Sequence, residues 1–147
     1  RYCIDTVSCY IKKRKEKLLR GKGDWRLTFI TPLSMKYQQE YMEQFYGEAL
    51  VKGAARRIQM LNYYIGNEAD VPEFSVYPEI GTQSVSPKTV RRYSGTQDSR
   101  MTLRGISGTV ILKTMPVECL DYLIAGELTH MGRNTSFGFG QYHIYRE

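Results

Sequence analysis

The chain has 147 residues, 41% of them hydrophobic, with 21 Lys and Arg against 15 Asp and Glu, a net charge of +6. That length fits one domain with a core that buries about two thirds of the unfolded surface. No run approaches the roughly 20 apolar residues of a membrane span, and the first apolar residues are broken by Asp5, Thr6 and Ser8, so no signal peptide is visible.

The chain opens on Arg1 rather than Met, which reads as a fragment or processed piece of something longer. Cys3, Cys9 and Cys119 cannot pair completely and include no Cys-x-x-Cys spacing. With only two histidines there is no zinc pattern. Free thiols in a reducing cytoplasm are the expectation, with no metal and no cofactor.

Residues 3–11 alternate loosely and read as a strand. The basic segment follows: residues 12–23 hold Lys12, Lys13, Arg14, Lys15, Lys17, Arg20 and Lys22 against Glu16 alone, and the rest of the chain balances. One reading is a solvated hairpin tip or loop. The other is an arm for polyphosphate, where each neutralised phosphate releases counterion. Residues 1–24 are thus expected as a strand and basic loop, an edge or the remnant of a preceding domain, before a domain at 25–147.

Residues 25–33, Trp-Arg-Leu-Thr-Phe-Ile-Thr-Pro-Leu, are rich in β-branched and aromatic side chains and read as a strand, with Pro32 near its end. Across 43–65, Tyr46, Leu50, Ala54, Ile58, Leu61 and Ile65 recur at helical spacing, and Gly66-Asn67 is a helix stop. Residues 67–86 read as a loop. Strands follow at 89–93 and 101–113, with the turn at 94–99 and with Gly105 and Gly108 marking a bulge or a close crossing. Thr114 or Met115 caps a helix with Pro116 in its first turn. Val117, Leu120, Ile124, Leu128 and Met131 form its buried stripe, and Gly132 ends it. The last strand is 139–145.

From Trp25 the order is strand, helix, strand, strand, helix, strand. That is the α+β ferredoxin-like (RRM-like) βαββαβ arrangement: a four-stranded antiparallel sheet with two helices on one face and the other face open.

Three glycines among residues 132–140 have Arg, Asn, Thr and Ser between them, and such a loop can turn successive amides toward an anion. The candidate contacts are Gly132, Arg133, Asn134, Thr135, Ser136, Gly138 and Gly140. The alternative is a loop that only carries the chain from helix to strand, and the negative end of the preceding helix opposes an anion there. Arg91, Arg92, Arg100 and Arg104, with Tyr93 among them, make the central hairpin either a phosphate track or a solvated ribbon. If Tyr142 and Ile144 face the helices, His143 stands on the open sheet face. Lys12, Lys13, Arg14 and Lys15, with His143, complete the candidate phosphate-binding contacts.

The run Gly-Arg-Asn-Thr-Ser-Phe-Gly-Phe-Gly-Gln-Tyr at 132–142 resembles the C-terminal glycine-rich signature of the CRISPR-associated endoribonucleases that cut repeat RNA into guide RNAs. Leu27 to Leu33, Arg56-Arg57-Ile58-x-x-Leu61 and Gly105 to Val110 are similar to further pieces of that family's pattern. The resemblance implies the C-terminal one of two ferredoxin-like domains, acting on CRISPR repeat transcripts and beside other CRISPR-associated proteins. It implies metal-independent attack of a ribose 2′-hydroxyl on the adjacent phosphate, leaving a cyclic phosphate. That chemistry needs a base, an acid and a cation. The family's usual base is a histidine of the N-terminal domain, and no motif places it on His130 or His143, so the catalytic residues are left unassigned. A non-catalytic guide-RNA-binding subunit and a protein-interaction module are the competing readings.

Overall fold

The computed structural model describes residues 2–64, 73–94 and 99–146. The expected helix stop at 66–67 and the turn tip at 95–98 lie outside them. The elements are α1 (Tyr2–Arg20), β1 (Trp25–Leu33), β2 (Lys36–Tyr37), β3 (Glu40–Tyr41), α2 (Gly47–Tyr64), β4 (Ile80–Ser94), β5 (Ser99–Leu112), α3 (Val117–Thr129), a 3₁₀ turn (Thr135–Phe137) and β6 (Tyr142–Arg146). The main sheet runs β4-β5-β1-β6 with antiparallel neighbours throughout, which is the ferredoxin-like order.

Alternation along β1 sets the layers. Trp25, Leu27 and Phe29 point into the core, while Ile30 is 60% exposed. Leu50, Val51 and Ala54 of α2 and Leu120, Leu123 and Ile124 of α3 meet them, with Val110 and Leu112 of β5 and Tyr142 and Ile144 of β6. Phe45, just before α2, stacks on Phe29 at 5.2 Å. No helix among the described residues is long and apolar enough to cross a membrane.

The N-terminal segment differs from expectation. The strand at 3–11 and the basic loop after it are one helix, α1. Ile11, Arg14 and Leu18 recur at helical spacing; Leu18 is buried and Tyr10 and Ile11 pack against the core. Lys and Arg are good helix formers, and Lys17 and Arg20 sit in the last turn, where the macrodipole favours cations. The run of charge is thus spread around a helix, with Lys12, Lys13 and Lys17 exposed.

Other boundaries shift for local reasons. α2 starts at Gly47 rather than 43, because Gln83 engages the backbone just before it: its Oε1 accepts from Phe45 N at 2.7 Å and its Nε2 donates to Phe45 O at 3.1 Å. β4 starts at Ile80, within the span expected as loop. Pro87 lies inside it, which an edge strand tolerates because a missing N–H on the outer side breaks no ladder bond. Pro116 caps α3 rather than entering its first turn, and Thr114 Oγ1 accepts from Glu79 N instead. The α3 stripe is Cys119, Leu120, Leu123 and Ile124; Val117 and Leu128 are exposed. His130, at φ 63°, forms the C-cap expected of Gly132.

Candidate nucleic-acid interface

The glycine loop is a latch between α3, β1 and β6. Met131 N donates to Gly140 O at 3.0 Å, Gly140 N to Pro32 O at 2.8 Å, and Arg133 N to Ser34 O at 2.8 Å. Thr31 serves both directions: its Oγ1 donates to Gly138 O at 2.6 Å and accepts from Gln141 N at 2.9 Å. Phe137 N and Phe139 N both donate to Asn134 O, and Gly138 N donates to Thr135 O. The strand that ends in Thr-Pro and the glycine run are therefore complementary halves of one backbone joint.

This arrangement corrects the picture of a loop whose glycine amides all face a ligand. The amides of Arg133, Gly138 and Gly140 are engaged internally, and Gly140 is buried. A Cβ on Gly140, at φ 80°, would overlap the Met131 carbonyl; one on Gly132 would stand 2.6 Å from Ser34 O. These two glycines permit close backbone approach. Gly138 is different: at φ 88° it closes the 3₁₀ turn, and a Cβ there would meet nothing within 4 Å. Among the described residues, the amides of Gly132, Asn134, Thr135 and Ser136 have no hydrogen-bond partner. With exposed Arg133 and Ser136 they form the outer rim.

Arg133 rests on the short β2–β3 hairpin. Its Nη1 donates to Tyr41 Oη at 2.7 Å, and its guanidinium lies 5.7 Å from the centre of the Tyr41 ring. Lys36, the cross-strand partner of Tyr41, places its Nζ 5.2 Å from the same ring. Sequence reasoning missed both residues, since the hairpin turns on Gln38-Gln39 and carries none of the Gly or Asn that announces such a turn.

The four candidate contacts on α1 have different surroundings. Lys12 and Lys13 are exposed. Lys15 pairs with Asp121 at 3.1 Å. Arg14 turns inward: its Nη2 lies 3.0 Å from Glu127 Oε2 and donates to Ile144 O at 2.6 Å.

Arg91 and Arg104 are both exposed, on the ribbon where β4 and β5 run on together beyond the part of β5 that pairs with β1. Thr89 pairs with Arg104, so Arg91, two residues on, shares a face with Arg104. The side chains of Arg92 and Arg100 lie outside the described residues. The ribbon is at the β4 edge, whereas α1 packs on α3 near the β6 edge, so the sheet separates these two sets of cations.

Tyr142 and Ile144 do face the core, and His143 lies on the outer side, its ring 6.1 Å from that of Tyr145. Its Nδ1 is 2.8 Å from Glu127 Oε2, which leaves Nε2 on the exposed side of the ring. His130 Nδ1 is 3.3 Å from Phe139 O, within the latch.

The model of the family described as CRISPR-associated endoribonuclease Cas6 matches residues 27–142. No curated protein sequence matches the chain. Among solved structures, the chain is similar to one in a partial Cas6-RT-Cas1–Cas2 complex, at 16% identity and a TM-score of 0.65, covering 96% of this chain and 26% of that one. A structure of the Cas6-RT-Cas1–Cas2 complex gives the same identity and TM-score, with 16% of that chain covered. Thermus thermophilus Cas6 is similar at 13% identity and a TM-score of 0.51, covering 88% of this chain and 57% of that one. At these identities the structures establish the fold. The chain spans about a quarter or less of the first two and somewhat more than half of the third.

Proposed function

The chain belongs to the CRISPR-associated endoribonuclease Cas6 family, and from that premise we propose that it is one ferredoxin-like domain of a nuclease that cuts CRISPR repeat RNA into guide RNAs. The observation that carries this reading is the reach of the family match, from Leu27 in β1 to Tyr142 in β6. Those are the two strands that the glycine latch joins. The latch fixes the root of Arg133 through its amide and leaves the guanidinium at the surface.

This domain's part is to hold the RNA backbone. The rim amides, Arg133, Lys12 and Lys13 on α1, and Arg91 and Arg104 on the ribbon supply positive charge around the sheet. The cations support affinity through counterion release and the neutral amides through hydrogen bonds to phosphate oxygens, neither of which reads base identity. Cleavage by the ribose 2′-hydroxyl needs a base to take its proton and donors for the charge on phosphorus. Arg133 is suited to the second role. The base is assigned to another domain of the same nuclease, as the family resemblance implies, since no motif places it on His130 or His143. The site of action is the cytoplasm, where the free thiols of Cys9 and Cys119 persist.

The test is cleavage of a repeat RNA in EDTA by the full-length nuclease beside this chain alone. The full-length protein is expected to leave a 2′,3′-cyclic phosphate. The chain alone is expected to bind weakly, with steep salt dependence, and not to cut. Specific cleavage by the chain alone would move the base into it, and absence of RNA binding by both would end the proposal.

A further inference from the structure

The hairpin at 36–41 is unusual in how it is held. Its two central residues, Gln38 and Gln39, have φ of 53° and 71°, a left-handed pair that side chains with a Cβ avoid. Such a turn persists only where its base is over-determined. Here Met42 N donates to Met35 O at 2.9 Å, Tyr37 stacks on Tyr46 at 4.8 Å, and Tyr37 Oη donates to Glu48 Oε2 at 3.1 Å. Tyr37 and Glu40 are cross-strand partners on one face, so Lys36 and Tyr41 share the other. That face carries the contact with Arg133.

The result is two cations over one exposed ring, and neither has a carboxylate partner among the described residues. An anion beside the ring is attracted to both. A groove of about 320 Å³ adjoins Lys36, lined by Tyr37, Glu48, Lys52, Gly53 and Arg56 among others. Lys52 is paired with Glu48 there, so Lys36 and exposed Arg56 are the cations the groove offers.

We propose that Lys36, Tyr41 and Arg133 form a binding station for one phosphodiester of single-stranded RNA, from which the strand runs along the groove toward Arg56. This deepens the reading of the chain as part of a repeat-RNA nuclease and rests on it. Tyr41 keeps the two cations apart and presents a face for stacking. The strained hairpin fixes the distance between them before RNA arrives.

The experiment measures binding of a fluorescein-labelled single-stranded repeat RNA to the full-length protein across a salt series. The variants are Lys36→Gln, the pair Lys36→Gln with Arg133→Gln, and Lys113→Gln as an exposed control. The slope of log K against log salt is expected to fall by about 0.7 in Lys36→Gln and about 1.4 in the pair, the single-strand value per cation, and to stay unchanged in Lys113→Gln. Lys36 is surface-exposed, so its single variant stays informative if the pair fails to fold. An unaltered slope in a folded Lys36→Gln, with the unsubstituted protein binding normally, overturns the station alone. No binding by the unsubstituted protein overturns the functional reading instead. Unlabelled polyglutamate displacing RNA from the unsubstituted protein but not from the pair would place an acidic protein segment there, and that also overturns the proposal.

Discussion

Arg14 of α1 and Glu127 of α3 are 113 residues apart in sequence and meet at 3.0 Å, with Glu127 only 4% exposed. The pair closes a sheet edge. Ile144 N donates to Glu127 Oε2 at 3.0 Å, and Ile144 O accepts from Arg14 Nη2. These backbone groups point away from β1 on the outer strand of the sheet, and an edge left open invites pairing with another chain. Arg14→Ala is expected to destabilise the chain by about 3 kcal/mol, because it leaves a buried carboxylate without its guanidinium, with only His143 Nδ1 and Ile144 N beside it. Lys15→Ala, whose partner Asp121 is half exposed, should stay within about 0.5 kcal/mol. Urea unfolding of the two variants checks the contrast.

That contrast shows what charge in a sequence conveys. Lys12 to Lys15 read as one basic arm, yet a helical turn of 3.6 residues leaves Lys12 and Lys13 exposed, sets Lys15 beside Asp121 and turns Arg14 onto Glu127. The pattern of β1, the helical spacing of α2 and the order of elements were legible because burial imposes their period directly. The early part of β4 read as loop because Pro72 and Pro78 come just before it, and Pro87 within the strand is harmless only at an edge, which is a property of the assembled sheet. The glycine run was legible as a loop with a close backbone approach. Its partner was not, since the Thr31 hydroxyl that joins Gly138 to Gln141 comes from a strand more than 100 residues earlier. Tyr41 and Lys36 gave no signal, because a left-handed Gln-Gln turn follows from anchoring rather than from local preference.

Gly126 and Tyr142 form a second long-range fit. Tyr142 Oη donates to Leu123 O at 2.6 Å in the core, and a Cβ on Gly126 would overlap that hydroxyl. Gly126→Ala gains helix propensity of about 1 kcal/mol but forces an overpacked contact, and a net loss of about 1–2 kcal/mol is expected. Tyr142→Phe alone should cost about 1 kcal/mol for the lost hydrogen bond. Combined, the two should cost less than their sum, because removing the hydroxyl relieves the clash. A double-mutant cycle by urea unfolding measures this, and additive costs would contradict the fit.

Cys119 is buried, and its Sγ donates to Val76 O at 3.4 Å. Burial, followed by the nearby Glu118 charge, pushes its thiol up to about 11. In the unfolded chain the thiol titrates near 8.5, so the folded state holds a proton that the unfolded state releases. Stability from this group is complete below about pH 8.5 and is lost as pH rises toward about 11. Among the described residues Tyr37, Tyr142 and Lys52 are also raised, but from starting values of 10.0, 10.0 and 10.5, which leaves the interval from about 8.5 to 10 to this shift. Cys119→Ala should flatten the fall in stability over that interval. Iodoacetamide at pH 8 should modify exposed Cys9 and spare Cys119 until the protein unfolds, as read by mass spectrometry.

The glycine latch yields the sharpest separation between folding and binding. Gly140 and Gly138 have φ of 80° and 88°, so alanine is strained at both, by about 1–2 kcal/mol. At Gly140 the added Cβ also overlaps the Met131 carbonyl, which would break the bond from Met131 N to Gly140 O and loosen the joint with Pro32. At Gly138 the space around a Cβ is open to at least 4 Å. Gly140→Ala should therefore lower the urea midpoint clearly more than Gly138→Ala, while Gly138→Ala leaves a folded protein in which binding can be read separately. If the outer rim carries RNA, a methyl group at Gly138 should weaken RNA binding with no change in salt slope, since it removes no charge. Equal instability of the two variants would mean that φ alone governs both glycines and that the backbone joint contributes nothing measurable to the fold.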